Sequence, residues 1–186
     1  HIQPLVVTFS DFLSDYLFVH YLGPDSVRFC FEHTSYGTQV GDAVHLDLAA
    51  PHTLRIDLGS LYPPADHPYF DRLTPEQAAA ARRVVRVTLD GRVAFDGDAQ
   101  VYDPISPRPS IGTSDGRPGL TEPFSGRILS WRRLPDALPE ERQALVGPLR
   151  MELVLPAFTS VYNEPLLCSG VAGHGDLGER SERDAV

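Results

Sequence analysis

The feature that most restricts what this chain can fold into is strict alternation joined to a tight turn. Leu54, Ile56 and Leu58 alternate with Arg55 and Asp57, and Val85, Val87 and Leu89 repeat the pattern. A period of two sets one side of each segment against a core and the other in water, the mark of a half-buried strand. Asp90-Gly91 follows directly. That pair supplies the two positive-φ residues of a two-residue hairpin, so Val93 and Phe95 are expected on a return strand. A lone hairpin is marginal in water, so more strands must cover its apolar side.

The rest of the chain supplies them. Pro4 to Thr8 and Leu17 to Tyr21 read as short strands, and Val27 to His33 as a third. In the third, Val27, Phe29 and Phe31 take the core side and Arg28, Cys30 and Glu32 the other. Gly23-Pro24-Asp25-Ser26 has turn chemistry and makes an antiparallel pair of the last two. Val44 to Leu48, Phe124 to Trp131 and Leu149 to Leu155 are further strand segments. Seventeen prolines and fifteen glycines suit a fold of many turns. One helix is expected, opening at Thr74-Pro75-Glu76-Gln77, where Thr74 caps, Pro75 takes the first helical position and Gln77 completes a capping box. Gly59 to Phe70 is a long loop rich in proline and aromatics, and residues 102–109 and 115–123 form others. Residues 1–158 are expected to be the domain, and 159–186 a partial repeat or flexible tail. The repeat reading comes from Gln3-Pro4-Leu5 and Glu164-Pro165-Leu166, which begin similar apolar runs with Asp15 and Asp176 at equal distances downstream.

The formal net charge is −9, so no basic field draws a nucleic-acid backbone or an anionic lipid surface. No run of eighteen apolar residues is present, and no membrane span is expected. All 16 basic residues are arginine, which reads as the bias of a GC-rich, bacterial genome or as arginine chosen for forked hydrogen bonding. Cys30 and Cys168 fit no metal spacing. They read either as one disulfide of an exported protein or as two small buried groups.

The succession of strand 54–58, Val85 to Arg92 with its Asp-Gly turn, Ile111-Gly112 and Phe124-Ser125-Gly126-Arg127-Ile128 resembles the second half of concanavalin A-like lectin/glucanase domains of the laminin-G-like kind. The resemblance implies an all-β fold, a two-sheet antiparallel jelly-roll sandwich with one short helix. In such domains a strand like Leu149–Leu155 comes first and pairs near the last strand, whereas here it is the last strand of the domain. Two arrangements accommodate it: a permuted domain, or a strand from a second copy. A location outside the cell or in its envelope is the accompanying expectation.

Enzymes of this superfold carry alternating acids on one strand, one as nucleophile and one as acid at a fixed separation. Here Glu32, Asp47, Asp57 and Glu152 each stand alone on a strand. The histidines at 20, 33, 45, 52, 67 and 174 lack any His-x-His or His-Glu-x-x-His spacing, so no cofactor is expected. Calcium at the rim through Asp103 or Asp115 has no support from their spacing. His1 has the chemistry of a copper-chelating terminus, but Ile2-Gln3-Pro4-Leu5 reads as mid-domain chain. No Gly-x-Ser-x-Gly elbow or phosphate-binding glycine loop occurs.

What remains is a binding surface. Aromatic rings stack on sugar faces while arginine and aspartate orient hydroxyls. The residues with that chemistry are His20, Tyr36, Arg55, Asp57, Tyr62, His67, Tyr69 and Arg108. The expected partner is a glycan, with a protein partner or an oligomeric assembly as the alternative and a glycoside hydrolase as the third.

Overall fold

Alternation produces strands where it was expected, and bulges decide the details. The computed structural model describes residues 2–10, 12–64, 66–101, 109–113, 122–134 and 149–156. Strands β1 (Ile2–Phe9), β2 (Ser14–Gly23), β3 (Ser26–His33), β4 (Gly37–Val40) and β5 (Val44–His45) come first. β6 (Pro51–Leu58) leads through two short 3-10 turns, Gly59–Leu61 and Pro68–Arg72, into helix α1 (Pro75–Arg83). β7 (Val84–Leu89), β8 (Arg92–Asp98), β9 (Ser110–Ile111), β10 (Arg127–Arg133) and β11 (Leu149–Val154) complete the order. The strands form two antiparallel sheets packed face to face. The first runs β4-β3-β2-β1-β9, with β5 also on β3, and the second runs β10-β11-β6-β7-β8.

The core lies between them. Leu17, Val19, Phe29 and Phe31 of the first sheet meet Leu54, Ile56, Val87 and Met151 of the second, all nearly inaccessible to water. Truncating one such side chain costs about 2–5 kcal/mol, so this layer dominates the stability. A bulge at Leu5, between the pairs Pro4↔Phe18 and Val6↔Leu17, lets Leu5 and Val6 both join this layer.

Local sequence rules account for the connections. Asp90 and Gly91 adopt φ of 48° and 82°, the conformation a two-residue hairpin requires. Thr74 caps α1 by accepting from the Gln77 N–H, and the Gln77 side chain accepts from the Thr74 N–H. Gly59 is required by close approach: a Cβ there would stand 2.0 Å from the Arg82 carbonyl oxygen at the end of α1. The segments Ile111-Gly112 and Phe124 to Ile128 form one packing unit. The Gly112 N–H donates to Leu5 O, the Phe124 N–H to Gly112 O, and Gln3 exchanges hydrogen bonds with Ser125.

Several segments differ from the sequence expectation. Val93 stands on the return strand but is 60% exposed, because a bulge at Ala94 changes the phase between Thr88↔Val93 and Val87↔Phe95. Only Val44 and His45 of the 44–48 segment are paired, since β3 offers just Ser26 and Val27 there. The loop after β6 contains two 3-10 turns. The strand at Leu149 pairs with β10, as expected, and also with β6. The echo and tail beyond 157, and Cys168, lie outside the described residues.

Candidate functional site

Register builds the most chemically equipped surface, the outer face of the second sheet. Directly opposed residues share a face, so the ladders read as rows. Ser130, Glu152 and Thr53 form one row across β10, β11 and β6. Arg132, Arg150, Arg55, Thr88 and Val93 form the next. Asp57, Arg86 and Asp96 form the third.

The charges on this face divide into two groups. Arg55 holds Asp57 with two hydrogen bonds of 3.0 and 3.2 Å, and Arg86 holds Asp96 at 3.2 and 2.8 Å. At the margin Arg83 pairs with Asp98. By contrast, Arg132, Arg150 and Glu152 are exposed and, among the described residues, form no ion pair or side-chain hydrogen bond. With Ser130 and Trp131 they line a shallow hollow of about 290 Å³. Trp131, the register partner of core residue Met151, lies on edge strand β10 and remains 48% exposed. Its neighbour Arg133 is partly buried and donates to Leu61 O at 3.1 Å, tying β10 to the turn after β6; burial lowers its pKa to about 10.

The eight residues proposed from sequence fall on separate surfaces. Arg55 and Asp57 lie on the face just described. His20 lies on the outer face of the first sheet, where its Nδ1 accepts from Arg28 Nε at 3.2 Å. Tyr62 and Tyr69 pack on each other with ring centroids 5.7 Å apart, and Tyr69 meets Phe70 edge-on at 4.9 Å. His67 caps a 3-10 turn through Nδ1, accepting from the Tyr69 N–H at 3.1 Å. These three side chains therefore shape the 59–73 connection. Tyr36 is 66% exposed and covers His33, ring centroids 5.0 Å apart. Arg108, like Asp103 and Asp115, lies outside the described residues.

Under Tyr36 is a polar cluster that sequence reasoning did not assemble. Asp15 opposes His33 across β2 and β3, with Asp15 Oδ1 2.6 Å from His33 Nδ1. Thr8 donates to Ser60 at 2.6 Å, and Ser60 lies against Asp15. Burial raises the Asp15 pKa, against the lowering influence of His33 and Ser60. Aspartate, histidine and serine together suggest nucleophilic chemistry, but two facts oppose it. Ser60 approaches the aspartate rather than the far ring nitrogen, the reverse of a triad, and Asp15, His33 and Ser60 are buried. The cluster is a brace joining the end of β3 to the turn after β6. Its signal was the phase of His33, which continues Val27, Phe29 and Phe31.

A second brace fixes the hairpin. His52 Nδ1 lies 2.7 Å from Asp90 Oδ2, and Asp90 Oδ1 accepts from the Thr53 N–H at 2.8 Å. Burial works against the charged His52 ring, yet its hydrogen bonds to Asp90 and the Asp47 carbonyl raise its pKa overall.

Glu32, Asp57 and Glu152 do not form a glycosidase pair with one another. Glu32 opposes Tyr16 on the outer face of the first sheet, whereas Asp57 is on the outer face of the second. Glu152 is level with Thr53, roughly 13 Å of strand from Asp57, beyond the roughly 5–10 Å that either glycosidase geometry uses. Among the described residues no group of three His, Cys, Asp or Glu stands close enough to hold a metal ion, and no helix is long and apolar enough to cross a membrane. Comparison with protein-family models, with curated proteins and with solved structures gave no significant match.

Proposed function

We propose that this domain is a non-catalytic recognition module that binds carbohydrate on the outer face of its second sheet. The observation that carries this reading is the hollow beside Trp131, whose Arg132, Arg150 and Glu152 are exposed and unengaged while neighbouring charges are tied in pairs. Adjacent strands fix the backbone spacing of these groups before any ligand arrives. Guanidinium and carboxylate groups on that face address the hydroxyls of a sugar ring. The resemblance to concanavalin A-like and laminin-G-like domains supports such a role and, with it, a location outside a bacterial cell or in its envelope.

A glycan array tests the proposal. The folded domain is expected to select one polysaccharide class, and Glu152→Gln to weaken that binding by about fivefold, the scale of one hydrogen bond. A folded domain with no signal on a broad array contradicts it.

A protein-assembly role is the second reading, favoured by β10. Among the described residues it ends its sheet and carries exposed Leu129 and Trp131, features that invite another strand to pair with it. Light scattering at high concentration distinguishes it: a growing dimer fraction supports self-assembly, and a constant monomer removes it.

A further inference from the structure

Resting on the carbohydrate reading, we propose that the ligand is an acidic polysaccharide, its carboxylates held by Arg132 and Arg150 of the arginine row and its hydroxyls by Glu152, Ser130 and Thr53. Directly opposed like charges destabilise a sheet. Here Arg132 opposes Arg150, and Arg150 opposes Arg55, on three adjacent strands of a chain whose net charge is −9. Neighbouring strands lie about 4.8 Å apart, so the row presents positive charge at intervals of about 5 Å across the sheet. Asp57 engages Arg55, and no carboxylate among the described residues engages Arg132 or Arg150.

The adjoining row explains why the occupant is a sugar acid rather than a simple anion. Glu152 accepts hydrogen bonds and repels a bare anion, while the Ser130 and Thr53 hydroxyls both donate and accept. A uronate ring satisfies both rows, with a planar carboxylate for the forked guanidinium and hydroxyls for the rest. A polymer carrying one carboxylate per ring, lying across the strands, meets successive arginines.

Isothermal titration with polygalacturonate, an uncharged galactan and dextran sulfate tests this at low and high salt. Binding to polygalacturonate that weakens with salt, and little binding to the galactan, is the expected result. Arg150→Gln and Arg132→Gln should each lower the affinity by about fivefold, the upper range for an exposed ion pair. Arg86→Gln, in the neighbouring locked pair, should leave it within about twofold. Equal binding to galactan and polygalacturonate overturns the acidic-ligand proposal and leaves the carbohydrate reading standing. Binding to dextran sulfate alone overturns the carboxylate assignment. Failure on all three, together with a silent glycan array, defeats both. Unchanged thermal midpoints show that the variants are folded.

Discussion

The two outer faces of this sandwich come from the same alternation and end in opposite environments. On the first sheet Val7, Tyr16, Phe18 and Cys30 form a second apolar cluster, 0–2% exposed, with Tyr16 stacked on Phe18 at 5.6 Å. On the second sheet the equivalent positions are Arg55, Arg86, Arg132 and Arg150, all open to solvent. β1 and β2 accordingly read as nearly continuous apolar runs, whereas β6, β7 and β11 alternate cleanly; continuity marks strands buried on both sides. The difference teaches that one outer face is committed to packing and the other is available for recognition.

The largest effect that probes this contrast is Phe18→Ala. If the first outer face is a true interior, its loss should cost about 3–5 kcal/mol in urea unfolding, comparable to Phe29→Ala in the central core. A cost below about 1 kcal/mol would make it an ordinary surface and erase the contrast. Gly59→Ala comes next. The new methyl meets the Arg82 carbonyl, so a loss of about 1–3 kcal/mol is expected from overpacking, and a neutral result would mean that α1 shifts freely.

The pH dependence separates the buried aspartate from the surface ones. The Asp15 pKa lies above its ordinary 3.8, so the folded state holds that proton more tightly than the unfolded chain. Stability contributed by this group is therefore present below 3.8 and falls as pH rises through the raised value. Asp15→Asn should remove that decline, seen as the difference between wild-type and variant unfolding midpoints across the window. Parallel profiles would show that burial does not perturb Asp15. Smallest of all is Arg150→Ala: on the open face it should change stability by less than about 0.5 kcal/mol while altering binding. A large loss would mean that the arginine row is structural.

How much of this was legible follows from the range of each interaction. The capping box at Thr74 and the Asp90-Gly91 turn depend on residues a few positions apart, and both formed as read. The phases of β3, β6 and β7 were legible because burial enforces them. Single-residue bulges were not. The extra residue Ala94 put Val93 into solvent, and a bulge at Leu129 shifted the phase of Trp131 and Arg132. Arg55 and Asp57 were recognisable as outward residues. Joining them to Arg150 and Arg132 needed the order β10-β11-β6, set by contacts between distant segments. The same ignorance of pairing grouped His20 with Arg55, although they occupy opposite outer faces.

The most direct test is to map the ligand footprint by NMR, following backbone amides and arginine Nε–H signals during titration with polygalacturonate. Shifts concentrated at Arg132, Arg150, Glu152, Trp131 and Arg55, with the β1–β3 outer face silent, are the predicted result. A footprint centred on His20 and Arg28, or no shifts at saturating polymer, would contradict the assignment of recognition to the second sheet.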